Sequence, residues 1–227
     1  MVFGSKDKGK ELRADRIEAL QKAIEKAIKS AKLPQAISAY EELLSLDPRD
    51  ATAMNQLGDL YIRTGNFKEA FKHYQRLGDH YDRTGLLPKG IAIYLKMYRI
   101  DPKNTDVALK LTDLYKRSGL EIEAKRIYIE VAEFLKSQKR SDDVLEVYRK
   151  LADLDQENEE IRERLAEIYE KQGNRDHAAE EYRRIADIYQ KKRLPEQAIK
   201  ALKKALAFKP NLLILKKILD LLKEQDR

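Results

Sequence analysis

The chain has no cysteine, which rules out disulfides and thiolate metal sites and suits a reducing compartment. No apolar run approaches the roughly 18 residues that read as a membrane span. Residues 1–12 are lysine-rich and polar with no apolar stretch behind them, so no signal peptide is expected either. A cytoplasmic protein without a transmembrane segment is the expectation. Histidine is scarce too: His73, His80 and His177 are scattered, with neither cysteine nor a third histidine close by in sequence, and read as surface residues rather than metal ligands. There is no glycine-rich phosphate loop, no HExxH and no strand pattern that would seat a nucleotide fold. No catalytic residue, cofactor or metal site is therefore expected, and enzyme activity is not.

Charge is plentiful. Forty-six Lys and Arg stand against 39 Asp and Glu, a formal charge of +7, and 37% of residues are charged. Most of it is interspersed in sign, which describes solvated helix faces before it describes a ligand field. The densest basic piece falls in residues 1–10, read as a flexible start.

Period is the strongest signal. Asp47-Pro48, Asp101-Pro102, Asp155-Gln156 and Lys209-Pro210 recur at intervals of 54 residues. Three full units follow, 49–102, 103–156 and 157–210, with a partial unit 11–48 before them and a terminal helix in 211–227. Columns stay in register across the units: Leu57, Leu111, Leu165; Gly58, Thr112, Ala166; Tyr61, Tyr115, Tyr169; Gly65, Gly119, Gly173; Ala70, Ala124, Ala178; Tyr74, Tyr128, Tyr182. A fixed period of this length means stacked helices that bury their apolar faces on their neighbours, with no single central core.

Each unit holds three helices. In the first, residues 51–64 place Met54, Leu57, Gly58 and Tyr61 at three-four spacing, and Gly65-Asn66 ends the helix. Residues 67–84 follow, with Ala70, Tyr74, Leu77, Gly78 and Tyr81, and stop at Gly85. Residues 87–100 are closed by Asp101-Pro102, because proline disfavours helical geometry before it and lacks an N–H. The turns at Lys139 and Arg193 lack glycine and are expected to be softer. Residues 11–30 resemble a second helix and 33–46 a third, while 212–223 fall in the slot of a fourth first helix but are more apolar. That helix either covers the last layer, docks to a partner or another copy, or opens a further unit. The count is twelve helices, an all-α arrangement in one repeat domain spanning 11–227.

These columns resemble the tetratricopeptide repeat family, whose helix-turn-helix motif runs Leu-Gly, an aromatic, a turn glycine, Ala, an aromatic, a small or apolar residue and a closing proline. Leu57-Gly58, Tyr61, Gly65, Ala70, Tyr74 and Leu77 fill one copy; Leu77-Gly78, Tyr81, Gly85, Gly90, Tyr94, Met97 and Pro102 fill a second that shares the middle helix. Six overlapping copies span about residues 20–222. The resemblance implies a right-handed α-α solenoid of antiparallel helices, a superhelix whose pitch the shared helix leaves open. Packing columns would be Gly58, Tyr61, Gly78, Tyr81, Tyr115, Ala132, Tyr148, Ala166, Tyr169, Ala186 and Tyr189, small residues marking close helix approach.

One charge pattern stands out. An acid follows the small residue in all six motifs, Asp59, Asp79, Asp113, Glu133, Glu167 and Asp187, and a base follows four residues later in five, Arg63, Arg83, Arg117, Lys171 and Lys191. Acid and base at that spacing stabilise a helix by about 0.2–0.5 kcal/mol per pair. The resemblance implies a second role, since such positions line the family's concave groove, with Asn55, Ile62, Leu109 and Ile129 beside them as further lining. The implied function is a non-catalytic adaptor that holds a peptide segment or helix of mixed or basic charge from another protein, in a bacterial motility, secretion or envelope assembly. Acids in the family's asparagine column, Asp59, Asp113 and Glu167, would repel the carboxylate tails of chaperones. The alternative is a nucleic-acid-binding helical repeat that uses the five bases as a stripe.

Overall fold

The computed structural model describes residues 3–225, and among these every regular element is a helix. The order is α1 (Phe3–Lys29), α2 (Leu33–Leu46), α3 (Ala51–Arg63), α4 (Phe67–Arg83), α5 (Leu87–Ile100) and α6 (Thr105–Arg117) in a first unit. It continues with α7 (Glu121–Ser137), α8 (Ser141–Leu154), α9 (Glu159–Lys171), α10 (Arg175–Lys191), α11 (Pro195–Phe208) and α12 (Leu212–Gln225) in a second. Within each unit consecutive helices pack on one another, as expected of an α-solenoid. The division between units falls inside the second sequence repeat, between Ser118 and Gly119. Of the segment 1–10, residues 1 and 2 lie outside the described residues and residues 3–10 extend α1.

Local chemistry sets the boundaries. Asp50, Asn104 and Asn158 cap α3, α6 and α9, each side chain accepting from the N–H three residues on. Prolines 34, 88 and 195 sit in the first turns of α2, α5 and α11, where a missing N–H costs nothing. After α4, the Gly85 N–H donates to the Asp82 carbonyl and the Leu86 N–H to that of Tyr81. This paired closure needs a left-handed residue, and Gly85 supplies φ +73°.

The turns without glycine are a correction. Lys139 (φ 57°), Arg193 (φ 57°) and Ala31 (φ 53°) adopt the same left-handed backbone. Lys139 donates to the Lys136 carbonyl and Arg140 to that of Leu135, each at 3.0 Å. These boundaries are as sharp as the glycine ones, because the backbone bonds that close the turn do not depend on the side chain.

The last repeat is also out of the expected register. Asn211 accepts from the Leu213 N–H and takes the N-cap place of Asp50, Asn104 and Asn158, so the final interval is one residue short of the others. Ile214, Ile218 and Leu221 then occupy the buried columns of Ala53, Leu57 and Leu60. They close the second unit's core against Ala186, Ile199 and Leu202 of α10 and α11.

Candidate functional site

The acid ladder is built differently from the sequence expectation. Of the five acid-base pairs four residues apart, Asp113 with Arg117 closes, at 3.5 Å, and Arg117 holds Asp82 more tightly, at 2.5 Å. Arg83 turns its Nε to the carbonyl of Asp79, and Lys191 binds Glu157 at 2.7 Å. Arg63 and Lys171 form no ion pair among the described residues. Glu133 meets Lys136, Glu167 meets Arg164, and Asp187 meets Lys217 at 2.5 Å.

A cross-helix tie takes the place of the ladder in the first unit. The Tyr74 hydroxyl of α4 and the Lys96 ammonium of α5 both donate to Asp59 of α3, and Lys96 also reaches Asn55 Oδ1 at 3.2 Å while lying 4.6 Å above the Tyr74 ring. Asp79 of α4 likewise accepts from the Tyr94 hydroxyl of α5 at 2.6 Å. Burial, then the neighbouring carboxylate, pushes both phenols well above the usual tyrosine range, so they stay protonated donors. The lysine recurs at 54-residue intervals as Lys150 and Lys204, and Lys204 stands 4.8 Å above Tyr182 while bonding Glu163 at 3.0 Å. The sequence carried that column, but a lysine among 37% charged residues does not announce a partner so far away in the chain.

Glycine columns are explained by the same tyrosines. A Cβ on Gly58 would lie 2.5 Å from the Tyr74 ring, and one on Gly78 would lie 2.6 Å from that of Tyr94. The close approach is thus helix to ring rather than helix to helix. Tyr61, Tyr115, Ala132, Ala166, Tyr169 and Ala186 are buried, while Tyr81, Tyr148 and Tyr189 are half-buried. His73 stacks on Tyr61 at 5.7 Å and His177 on Tyr169 at 4.9 Å, so two of the three histidines serve as packing plates.

Two hollows of the first unit divide the expected site residues. One, of about 600 Å³, lies between α3 and α5 over Tyr74 and gathers Asp59, Ile62, Arg63 and Lys96. A larger one, of about 940 Å³, lies between α4 and α6 over α5. Phe67, Phe71, Met97, Ile100 and Val107 supply its apolar lining. Its charges are mixed, Lys68, Lys72 and Lys110 with Asp79, Asp101 and Asp106, and Arg83 lies in an adjoining hollow with Asp82. Asp59 and Asp79 therefore do not share one groove, because alternate helices line alternate hollows when one helix serves two motifs.

In the second unit, Glu167 and Lys171 line a hollow of about 260 Å³ between α7 and α9, with Lys136, Lys139, Arg140 and Arg164 around Val144 and Tyr148. Asp187 lines a small hollow at α12. Leu109 is half-buried and Ile129 is exposed, away from these hollows. One feature escaped the sequence reading: Arg162 of α9 and Glu181 of α10 form a buried pair at 2.9 Å, with the Arg162 Nε donating to the Gln156 carbonyl at 2.7 Å. Their columns hold Met54 and His73 in the first unit, so opposite charges arriving together in two packing columns were the available signal.

No helix among the described residues is long and apolar enough to cross a membrane. Residues 22–77 and 184–212 match models described as the tetratricopeptide repeat. No protein with a curated function matches the sequence. Among solved structures, the C-terminal part of a TPR repeat-containing protein from Cytophaga hutchinsonii is 19% identical, over 92% of this chain and 95% of that one, with a TM-score of 0.43. A putative protein binding protein from Bacteroides ovatus is 19% identical, over 92% of this chain and 98% of that one, with a TM-score of 0.42.

Proposed function

Because the chain is a tetratricopeptide repeat protein, we propose that it is a non-catalytic adaptor that holds a segment of another protein between alternate helices. The observation that carries this reading is the hollow between α4 and α6. It is large enough for several side chains, its floor is apolar, and its rim carries both signs of charge. Apolar side chains of a segment would enter over Phe71, Met97 and Val107, and charges on either side would meet Lys72 and Lys110 or Asp79 and Asp106, so a segment of mixed charge fits best. The Tyr94–Asp79 bond holds one wall of the hollow in place, which reduces the ordering cost of binding.

The same geometry weakens the nucleic-acid alternative. Two of the five bases expected to form a stripe are already engaged, Arg117 by Asp82 and Asp113 and Lys191 by Glu157. Selection from a displayed peptide library tests the proposal. Enriched peptides of mixed charge with apolar anchors should lose binding to Phe71→Asp and to the milder Lys72→Glu/Lys110→Glu variant, and should keep it with Arg63→Glu. Failure to enrich any peptide, or enrichment indifferent to both variants, would remove this site.

A further inference from the structure

The corrected register of α12 exposes a face that elsewhere in the molecule is always covered. Leu215, Leu219 and Leu222 occupy the columns of Met54, Gly58 and Tyr61 on α3, and of Arg162, Ala166 and Tyr169 on α9. On those two helices the columns receive the next helix of the repeat. Gly58 faces the Tyr74 ring and Tyr61 stacks on His73; Arg162 binds Glu181 and Tyr169 stacks on His177. Met54, Tyr61, Arg162, Ala166 and Tyr169 are all at most 8% exposed, whereas Leu215, Leu219 and Leu222 are 43%, 56% and 41% exposed.

We propose that this leucine stripe is the docking face for an amphipathic helix of another protein, which completes α12 as α4 completes α3 and α10 completes α9. The register dictates the chemistry of that helix. Leu219 fills the column where glycine or alanine elsewhere admits a tyrosine ring, so the incoming helix carries a small residue there, with aliphatic residues a turn to either side. Lys216 and Lys223 are exposed beside the stripe, one turn before and one turn after Leu219, and call for Asp or Glu on the facing edge.

The chain's own helices fit poorly. The second helices α4, α7 and α10 carry Tyr74, Tyr128 and Tyr182 where the small residue is needed. The remaining candidate, α1 of a second copy, places Arg16 in the column of Ala70, Ala124 and Ala178, each fully buried where it stands. An arginine there holds the two helices apart.

The test uses the whole protein and a lactam-stapled, dye-labelled peptide with the sequence of residues 175–191, made once with Tyr182→Ala and once unchanged. Fluorescence anisotropy should show the alanine peptide binding about tenfold or more tightly than the tyrosine peptide. The Leu219→Asp variant, whose change lies at an exposed position and should leave the helical circular dichroism intact, should weaken that binding at least about tenfold. Phe71→Asp should leave it unchanged, which separates this face from the hollow between α4 and α6. No binding of the alanine peptide, binding indifferent to Leu219→Asp, or a preference for tyrosine would each overturn the proposal. Concentration-dependent dimerisation in sedimentation, abolished by Leu219→Asp, would overturn it in favour of a second copy.

Discussion

The seam between α3 and α4 and the seam between α9 and α10 occupy the same place in the repeat and are held by different forces. In the first, Met54 is fully buried and His73 lies flat on Tyr61. In the second, the same two columns hold the buried Arg162–Glu181 pair. A column thus specifies that a side chain is covered, not what covers it. The two solutions respond oppositely to mutation. Removing one buried partner strands a charge, at a cost of about 3–5 kcal/mol, whereas replacing both by apolar residues of similar size is often neutral or stabilising by about 1–4 kcal/mol. Glu181→Ala is therefore expected to give the largest loss in denaturant unfolding, and Arg162→Met with Glu181→Ile to recover most or all of it. Equal losses from single and double changes would mean that the pair, not its burial, holds the seam.

A smaller contrast sits one turn along. Gly58 has no room for a methyl group against Tyr74, whereas Ala166 already carries one in the core it shares with Tyr182. Gly58→Ala should destabilise by about 1–3 kcal/mol through overpacking, even though alanine is favoured over glycine in a helix by about 1 kcal/mol. A stabilised Gly58→Ala protein would show that the Tyr74 ring moves aside freely.

These contrasts mark what the sequence could disclose. Twelve helices and the glycine turns were legible because the pattern recurs with the period, and Leu57, Leu111 and Leu165 declare it by repetition, whereas the sharp turns at Lys139 and Arg193 were not. The partners of charged residues were not. Asp59 has Arg63 one turn away in sequence, yet Tyr74 and Lys96 hold it, because a buried phenol on the next helix competes better for the carboxylate than an exposed guanidinium does. Division of the ladder between two hollows was hidden for a related reason. Overlapping motifs make equivalent positions face different neighbours, and a linear spacing does not record which. The slip at Asn211 was concealed by leucines on every side of α12, which leave its apolar stripe ambiguous by one residue.

Acid sensitivity sharpens the comparison further. In the first unit Asp82 accepts from Lys110 at 2.8 Å and Arg117 at 2.5 Å; in the second, Asp155 accepts from Lys125 at 2.7 Å and from the Asn158 amide at 3.1 Å. The hydrogen bond from Lys110, ahead of that from Arg117, holds the Asp82 carboxyl below its usual range, and the bond from Lys125 does the same for Asp155. A carboxylate depressed in the folded state contributes stability above its unfolded pKa of roughly 3.9, and that contribution is lost as pH falls through the lower folded value. Asp82→Asn and Asp155→Asn should each cost on the order of 1 kcal/mol near neutrality, the first more than the second. Both deficits should vanish in strong acid, and a deficit that persists there would assign the loss to packing.

The smallest effect concerns the turns. Gly85 and Lys139 stand 54 residues apart, with the same paired backbone bonds and nearly the same left-handed φ, yet only one is free of the clash between Cβ and the carbonyl oxygen. That clash costs roughly 1–2 kcal/mol, and part of any gain from removing it is offset by the greater freedom glycine has in the unfolded chain. Lys139→Gly should therefore stabilise the second unit by about 0.5–1 kcal/mol, and Gly85→Lys should destabilise the first by a similar amount. Lys139 also lines the basic hollow between α7 and α9, with Lys136, Arg140, Arg164 and Lys171 around the single acid Glu167. If Lys139→Gly stabilises the fold and at the same time weakens capture of an acidic peptide, the strained lysine is kept for its charge. If it stabilises the fold and leaves such binding unchanged, the two turns differ in sequence alone.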